Sequence, residues 1–359
     1  MLLMGIAFSA HSQTPTSQDS EPPFHISAYV ETYYSYDTRR PLDNTKPSFL
    51  YSHNRTQEFN VNLAYIRATY TKDKVRANLS IGAGSYMNAN YAAEPGVLKN
   101  LIEANAGIRL TRKKALWLDA GILPSHLGWE SAVSKDCPTL TRSLAAENSP
   151  YFESGARLSY STDNGKWALS ILALNGWQRI HKLPGNSLLS YGAQIQYKPN
   201  SAILLNYSNF IGSDSPDSTR QMRYFHDLYG TFHLSSHLDI TAGFDIGMQQ
   251  SPRIEDRSRR MLTWYTPVII ARYVLNTQWA LAGRVEYFHD PSGVIISTTN
   301  PEGAKTGSLS LNIDYAPTPN ALLRLEGRTF SGPGKLFTTG PGSPGSTDTF
   351  ITAAIAISM

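Results

Sequence analysis

Residues 238–249 divide cleanly by parity: Leu238, Ile240, Ala242, Phe244, Ile246 and Met248 alternate with Asp239, Thr241, Gly243, Asp245, Gly247 and Gln249. Successive side chains of a strand point to opposite faces, so the pattern predicts a strand with one apolar and one wet surface. Its length suits a tilted strand crossing a bilayer, which needs roughly 9–11 residues, rather than the five or six or so usual in soluble sheets.

The same alternation recurs along the chain. Ile26, Ala28, Val30, Thr32 and Tyr34 alternate with Ser27, Tyr29, Glu31 and Tyr33; Phe59, Val61, Leu63 and Tyr65 with Asn60, Asn62 and Ala64. Ile351, Ala353, Ile355, Ile357 and Met359 share the last apolar face. About sixteen such segments are expected, with no convincing amphipathic helix among them. Short turns at 71–74, 111–114, 161–165, 198–201, 235–237, 275–277 and 316–320 alternate with long polar loops near 37–57, 87–100, 124–153, 176–187, 212–222, 251–260, 289–306 and 331–348. A soluble sandwich has no reason to keep every long loop at one end, whereas outer-membrane barrels place short turns in the periplasm and long loops outside. The expected fold is therefore an all-β, antiparallel, up-and-down transmembrane barrel. Tyr160, Trp167, Tyr197, Tyr273, Trp279 and Tyr315 flank the short turns, where an aromatic girdle would meet the lipid headgroups.

A barrel of that size no longer fills its interior with side chains and leaves an aqueous channel. Glu31, Glu103, Asp119, Asp239, Asp245, Arg284, Glu286, Arg324 and Glu326 fall on the inward face, where they are expected to line water. Connections as long as 124–153 are usually either functional or disordered. Its charges, Glu130, Lys135, Asp136, Arg142, Glu147 and Glu153, are the candidates for a constriction folded into the lumen, with a lid over the mouth as the alternative.

Composition adjusts this picture little. The 359 residues are 41% hydrophobic, and no run approaches the 18 or so apolar residues of a membrane helix. A net charge of +4 with scattered Lys and Arg gives no nucleic-acid footprint. Cys137 is the one cysteine, which excludes an internal disulfide and leaves it as a bystander thiol. Residues 1–12 carry a short apolar run ending in a small-x-small motif, the pattern of a signal peptide, and 13–24 form a polar leader ahead of a single domain at 25–359. No cofactor or metal site and no catalytic motif is expected. A barrel-housed hydrolase would need a nucleophile and base at fixed geometry, and His226 and His233 have opposite parity. A secreted β-sheet adhesin is the other alternative, its apolar faces turned inward. The expected partners are outer-membrane lipid and small hydrophilic solutes or ions.

The runs DAGILPSHLGWE at 119–130, TRSL at 141–144, SPYFESGARL at 149–158, NGWQ at 175–178 and RVEYFHDPSG at 284–293 resemble the OmpL-like β-barrel porins of Gram-negative bacteria. The likeness covers nearly all of the chain after the leader. It implies an outer-membrane barrel with a channel role, lends no substrate, and by analogy with general porins implies narrowing by the third outer loop and a homotrimer. One departure is the final residue, Met359, where barrels usually close on an aromatic.

Overall fold

The computed structural model describes residues 22–252, 259–333, 336–337 and 345–359. The proposed signal peptide and most of the leader lie outside the described residues. Sixteen antiparallel strands close into one barrel, each paired with its sequence neighbours, and the last strand pairs with the first. In order they are β1 (Phe24–Asp37), β2 (Phe59–Lys72), β3 (Val75–Ala83), β4 (Leu101–Arg109), β5 (Ala115–Pro124), β6 (Phe152–Ser161), β7 (Trp167–Leu174) and β8 (Ser190–Asn200). Then follow β9 (Ile203–Gly212), β10 (Arg223–His233), β11 (Leu238–Gln250), β12 (Met261–Val274), β13 (Trp279–Asp290), β14 (Ala304–Thr318), β15 (Ala321–Ser331) and β16 (Thr347–Ser358). Closure runs from Tyr29 opposite Ser358 to Asp37 opposite Phe350, so no edge is left open to pair with another chain.

Alternation dictates which side each residue takes. Ile66, Ile171, Ile269, Val285, Leu311 and Ile355 face out and are exposed, Leu311 to 69%. Such a continuous apolar exterior belongs in hydrocarbon, which rules out a soluble adhesin with its apolar faces inward. At the short-turn end Trp167 stacks on Tyr197 (4.2 Å between centroids) and Trp279 on Tyr315 (4.5 Å), all outward, with Tyr160 and Tyr273 on the same side. Eight residues separate Trp279 from outward Tyr287, about 26 Å along the strand at roughly 3.3 Å per residue, or roughly 20 Å of membrane depth at the usual barrel tilt, which falls within the apolar band.

One expected face is corrected. Phe59 and Val61 point out, but a bulge where Glu31 and Thr32 pair with Leu63 and Val61 turns the rest of β2 by one position. Asn62 and Leu63 are both buried inside, and Tyr65 joins the lumen by stacking on Tyr29 at 5.5 Å. An extra residue in one strand reverses every later side chain, and simple parity cannot foresee it.

The long connections are L1 (38–58), L2 (84–100), L3 (125–151), L4 (175–189), L5 (213–222), L6 (251–260), L7 (291–303) and L8 (332–346), and the strand ends that they join all lie at one end of the barrel. L3 carries a single helical turn, α1 (Leu144–Glu147), whose Ser143 cap accepts a hydrogen bond from the Ala146 N–H at 3.2 Å.

Candidate functional site

The inward face is mostly buried under these loops, so its charges do not line open water as the sequence suggested. L3 enters at Pro124, runs down inside the barrel, and bonds inward-facing side chains along its course. Near the outer side the His126 ring lies 2.7 Å from the Asn209 carbonyl, and the Gly128 N–H donates to Asp227 (3.1 Å). Deeper, Tyr29 and Glu31 both meet the Ser134 hydroxyl, and Lys135 donates to Ser358 (2.8 Å) at the short-turn end of β16. On its return the loop's N–H groups meet acceptors on three neighbouring strands: Leu140 on Asn312 of β14 (3.1 Å), Thr141 on Glu326 of β15 (2.5 Å) and Leu144 on Glu286 of β13 (2.5 Å).

Three arginines of the same wall donate to the loop in return. Arg284 donates to the Thr141 carbonyl (2.7 Å) and Thr139 Oγ1 (2.8 Å), and Arg324 to the carbonyls of Ser134 (2.5 Å) and Cys137 (3.1 Å). Arg328, which the sequence reading missed, donates to the Arg142 carbonyl (2.9 Å). Among themselves the wall charges pair as Arg284 with Glu286 (3.1 Å) and Glu326 (2.9 Å), Arg328 with Glu286 (2.5 Å), and Arg324 with Asp314 (2.8 Å). Charges withdrawn from water are tolerable only when paired and hydrogen-bonded, and here both conditions hold. Asp245 lies opposite Asp227, both buried, while Asp239 stays half-buried beside His233 (2.6 Å).

The candidate loop residues separate into two kinds. Lys135 and Asp136 are exposed at the tip. Arg142 is fully buried and spends its donors on the carbonyls of Ser131 (2.5 Å), Leu140 (2.7 Å) and Ala132 (3.3 Å), so it holds the loop's own shape and faces no passage. Glu130 accepts the Ser143 N–H (3.0 Å). Glu147 accepts the Tyr51 N–H (2.8 Å) and Ser52 N–H (3.2 Å), fastening L3 to L1, and burial pushes its carboxyl up to about 7. Glu153 lies in β6, not in the loop, and meets His126 at 2.8 Å. Burial works against a charged His126, yet Glu153 holds the imidazole above its usual range. The Cys137 thiol is buried and raised to about 11 by that burial, consistent with an inert bystander.

Above this polar layer lies an apolar one. Inward-facing Leu174, Phe210, Phe225, Trp264, Phe288, Phe330 and Phe350, near the outer strand ends, pack with Phe49 and Leu50 of L1, Leu127 and Leu144 of L3, Trp177 of L4, Ile296 of L7 and Phe337 of L8. Gly247 belongs to this packing, and Gly243 to a neighbouring cluster in which Trp129 packs with Ala145, Val268 and Ile270. A Cβ at either would collide with the ring of Trp264 or Trp129 respectively, so these two positions of the β11 wet face are glycine to seat indoles.

His226 and His233 face opposite sides, His226 outward 2.8 Å from the Tyr207 hydroxyl and His233 inward, so they do not form one site.

The comparisons with known proteins agree with this architecture. No curated protein matches the sequence. Among solved structures, the anion-selective porin from Comamonas acidovorans has a TM-score of 0.61 at 7% identity, covering 94% of this chain and 99% of its own. The Salmonella typhi OmpF complex with daunomycin has a TM-score of 0.61 at 9% identity over 94% and 97%. OmpT, an outer membrane protein of Vibrio cholerae, has 0.55 at 12% identity over 94% and 97%. At such identities these share the fold alone. The family profile described as beta-barrel porin-2, OmpL-like, matches residues 23–359. With nearly the whole chain covered by that profile, and a closed sixteen-stranded barrel beneath it, the protein belongs to the OmpL-like beta-barrel porin-2 family and resides in the bacterial outer membrane.

Proposed function

We propose that the protein is a diffusion channel for small hydrophilic solutes or ions, narrowed by L3, and that it performs no catalysis. The observation that carries this reading is the hydrogen bonding of L3 to inward-facing side chains of β8, β10, β13 to β16 and β1, which leaves solvent contact chiefly on the opposite wall, β2 to β7. There the inward-facing Arg67, Asn78 and Trp117 are only half-buried, as is Gln196 towards the short-turn end of β8. Water passing the barrel therefore runs off-centre along that wall, beside the L3 tip, and is most restricted where the apolar layer closes in. The aromatic girdle at the short-turn end sits at the periplasmic headgroups. Homotrimer formation belongs to the same reading, supported by a similar fold described in a trimer form, OmpT of Vibrio cholerae, at 9% identity and a TM-score of 0.53. Single-channel recording of the purified full chain in a planar bilayer tests the reading. Discrete conductance steps are expected, and a barrel with heat-modifiable mobility that gives no steps would contradict it.

A further inference from the structure

The solvent-facing wall carries a charge arrangement that neither the fold nor the loop packing requires. Asp119 is 1% exposed and is gripped by Arg76 through two bonds of 2.6 and 2.5 Å, and Arg76 lies 4.3 Å above the Trp117 ring. That one carboxylate is also the only ion-pair partner of Arg157 among the described residues, at 3.7 Å. Arg67 reaches Glu103 at no better than 3.5 Å. The Nε of both Arg67 and Arg157 finds no acceptor among the described residues. Exposure follows the same division. The guanidinium side chains of Arg67, Arg76 and Arg157 are 34%, 28% and 26% exposed, against 10% for Glu103 and 1% for Asp119.

Two points follow. Three positive groups against two negative ones leave this belt with one net positive charge, and the carboxylates lie underneath while the cations meet the water. The guanidinium of Arg157, and that of Arg67, also keeps donors that its loose carboxylate contact does not use. A planar guanidinium fork suits a flat or tetrahedral oxyanion, which can accept two parallel hydrogen bonds, better than it suits a halide. At the L3 tip Lys135 and Asp136 offset each other and do not change the sign.

We propose that Arg67, Arg76 and Arg157 form a binding subsite for small oxyanions in the short-turn half of the lumen. The subsite deepens the channel reading, because its ligand would be a permeating solute. Arg76 is the fixed member, held by Asp119 and Trp117; Arg67 and Arg157 swing onto the anion.

Two measurements on the detergent-solubilised full chain test it, with inorganic phosphate as the probe: calorimetric titration at constant chloride, and the KCl conductance of the same samples with phosphate added to either side. Phosphate is expected to bind and to reduce the chloride current, more strongly from the short-turn side. Both effects should be lost in the double variant Arg67→Gln, Arg157→Gln, in which the belt becomes net negative. The double variant Arg67→Lys, Arg157→Lys keeps the charge without the fork, and should bind more weakly than the parent but not lose binding. If conductance steps are present but phosphate neither binds nor blocks, the subsite is overturned and the channel stands. If the glutamine variant retains heat-modifiable mobility and still binds phosphate as the parent does, the subsite is likewise overturned. Phosphate binding without any conductance would support the subsite and overturn the channel.

Discussion

At the scale of single residues, what decides the lumen is how each polar inward position is satisfied. Glu326 and Glu286 accept N–H groups of L3, and Arg284 and Arg324 donate to its carbonyls, so neighbouring chain takes the place of water. Outward positions follow the opposite rule. Leu311→Arg, at the middle of β14, places a charge in hydrocarbon and is expected to lower stability by about 2–4 kcal/mol. Gln196→Arg, inward and half-buried on β8, should be far milder because its head reaches lumen water. Urea unfolding in lipid vesicles measures both, and equal penalties would reject the assigned faces.

Among the elements, L3 is unusual because its fold is fixed from outside as much as from within. Its connection to L1 runs through Glu147, whose carboxyl is pushed up to about 7 in the folded chain because burial opposes its charge, against roughly 4.3 in an unfolded chain. A raised pKa means that folding takes up a proton. The contribution of this group is therefore complete below the unfolded value and is lost as pH rises through the folded one, on the order of 3 kcal/mol across the window. Glu147→Gln, which keeps a carbonyl acceptor without the titration, should match the parent at about pH 4 and melt at a higher temperature than it at about pH 8. Thermal unfolding in detergent across that range checks this; parallel pH profiles for the two proteins would show that Glu147 is charged when docked.

The elements themselves were legible in the chain. Alternation gave the strands, and loop length gave the two ends. The role of individual charges was not legible, for reasons visible in particular residues. Glu31 and Asp245 have the parity of water-lining groups, and parity says nothing about what covers them. Arg142 reads as a loop charge, yet its donors return to its own backbone. The bulge beside Asn62 adds one residue without any Gly or Pro to mark it. One signal was present and unused. Inward-parity positions near the outer strand ends hold Phe210, Phe225, Trp264, Phe288, Phe330 and Phe350, which no water-filled wall needs.

For the whole molecule the consequence is a barrel divided across its width and along its length. One wall is sealed by L3, the opposite wall keeps solvent contact in its short-turn half, and the outer half is packed with aromatic side chains. Its exterior commits it to a bilayer, and its interior is filled by loop residues as much as by strand side chains. The most direct measurement is the single-channel conductance of a variant lacking residues 133–144 beside that of the full chain. The deletion removes Ser134, Thr139 and Thr141 and returns Arg284, Arg324 and Glu326 to water, so larger conductance steps are expected from a barrel that still folds. Steps of unchanged size would contradict the account, because L3 would then occupy the lumen without governing passage through it.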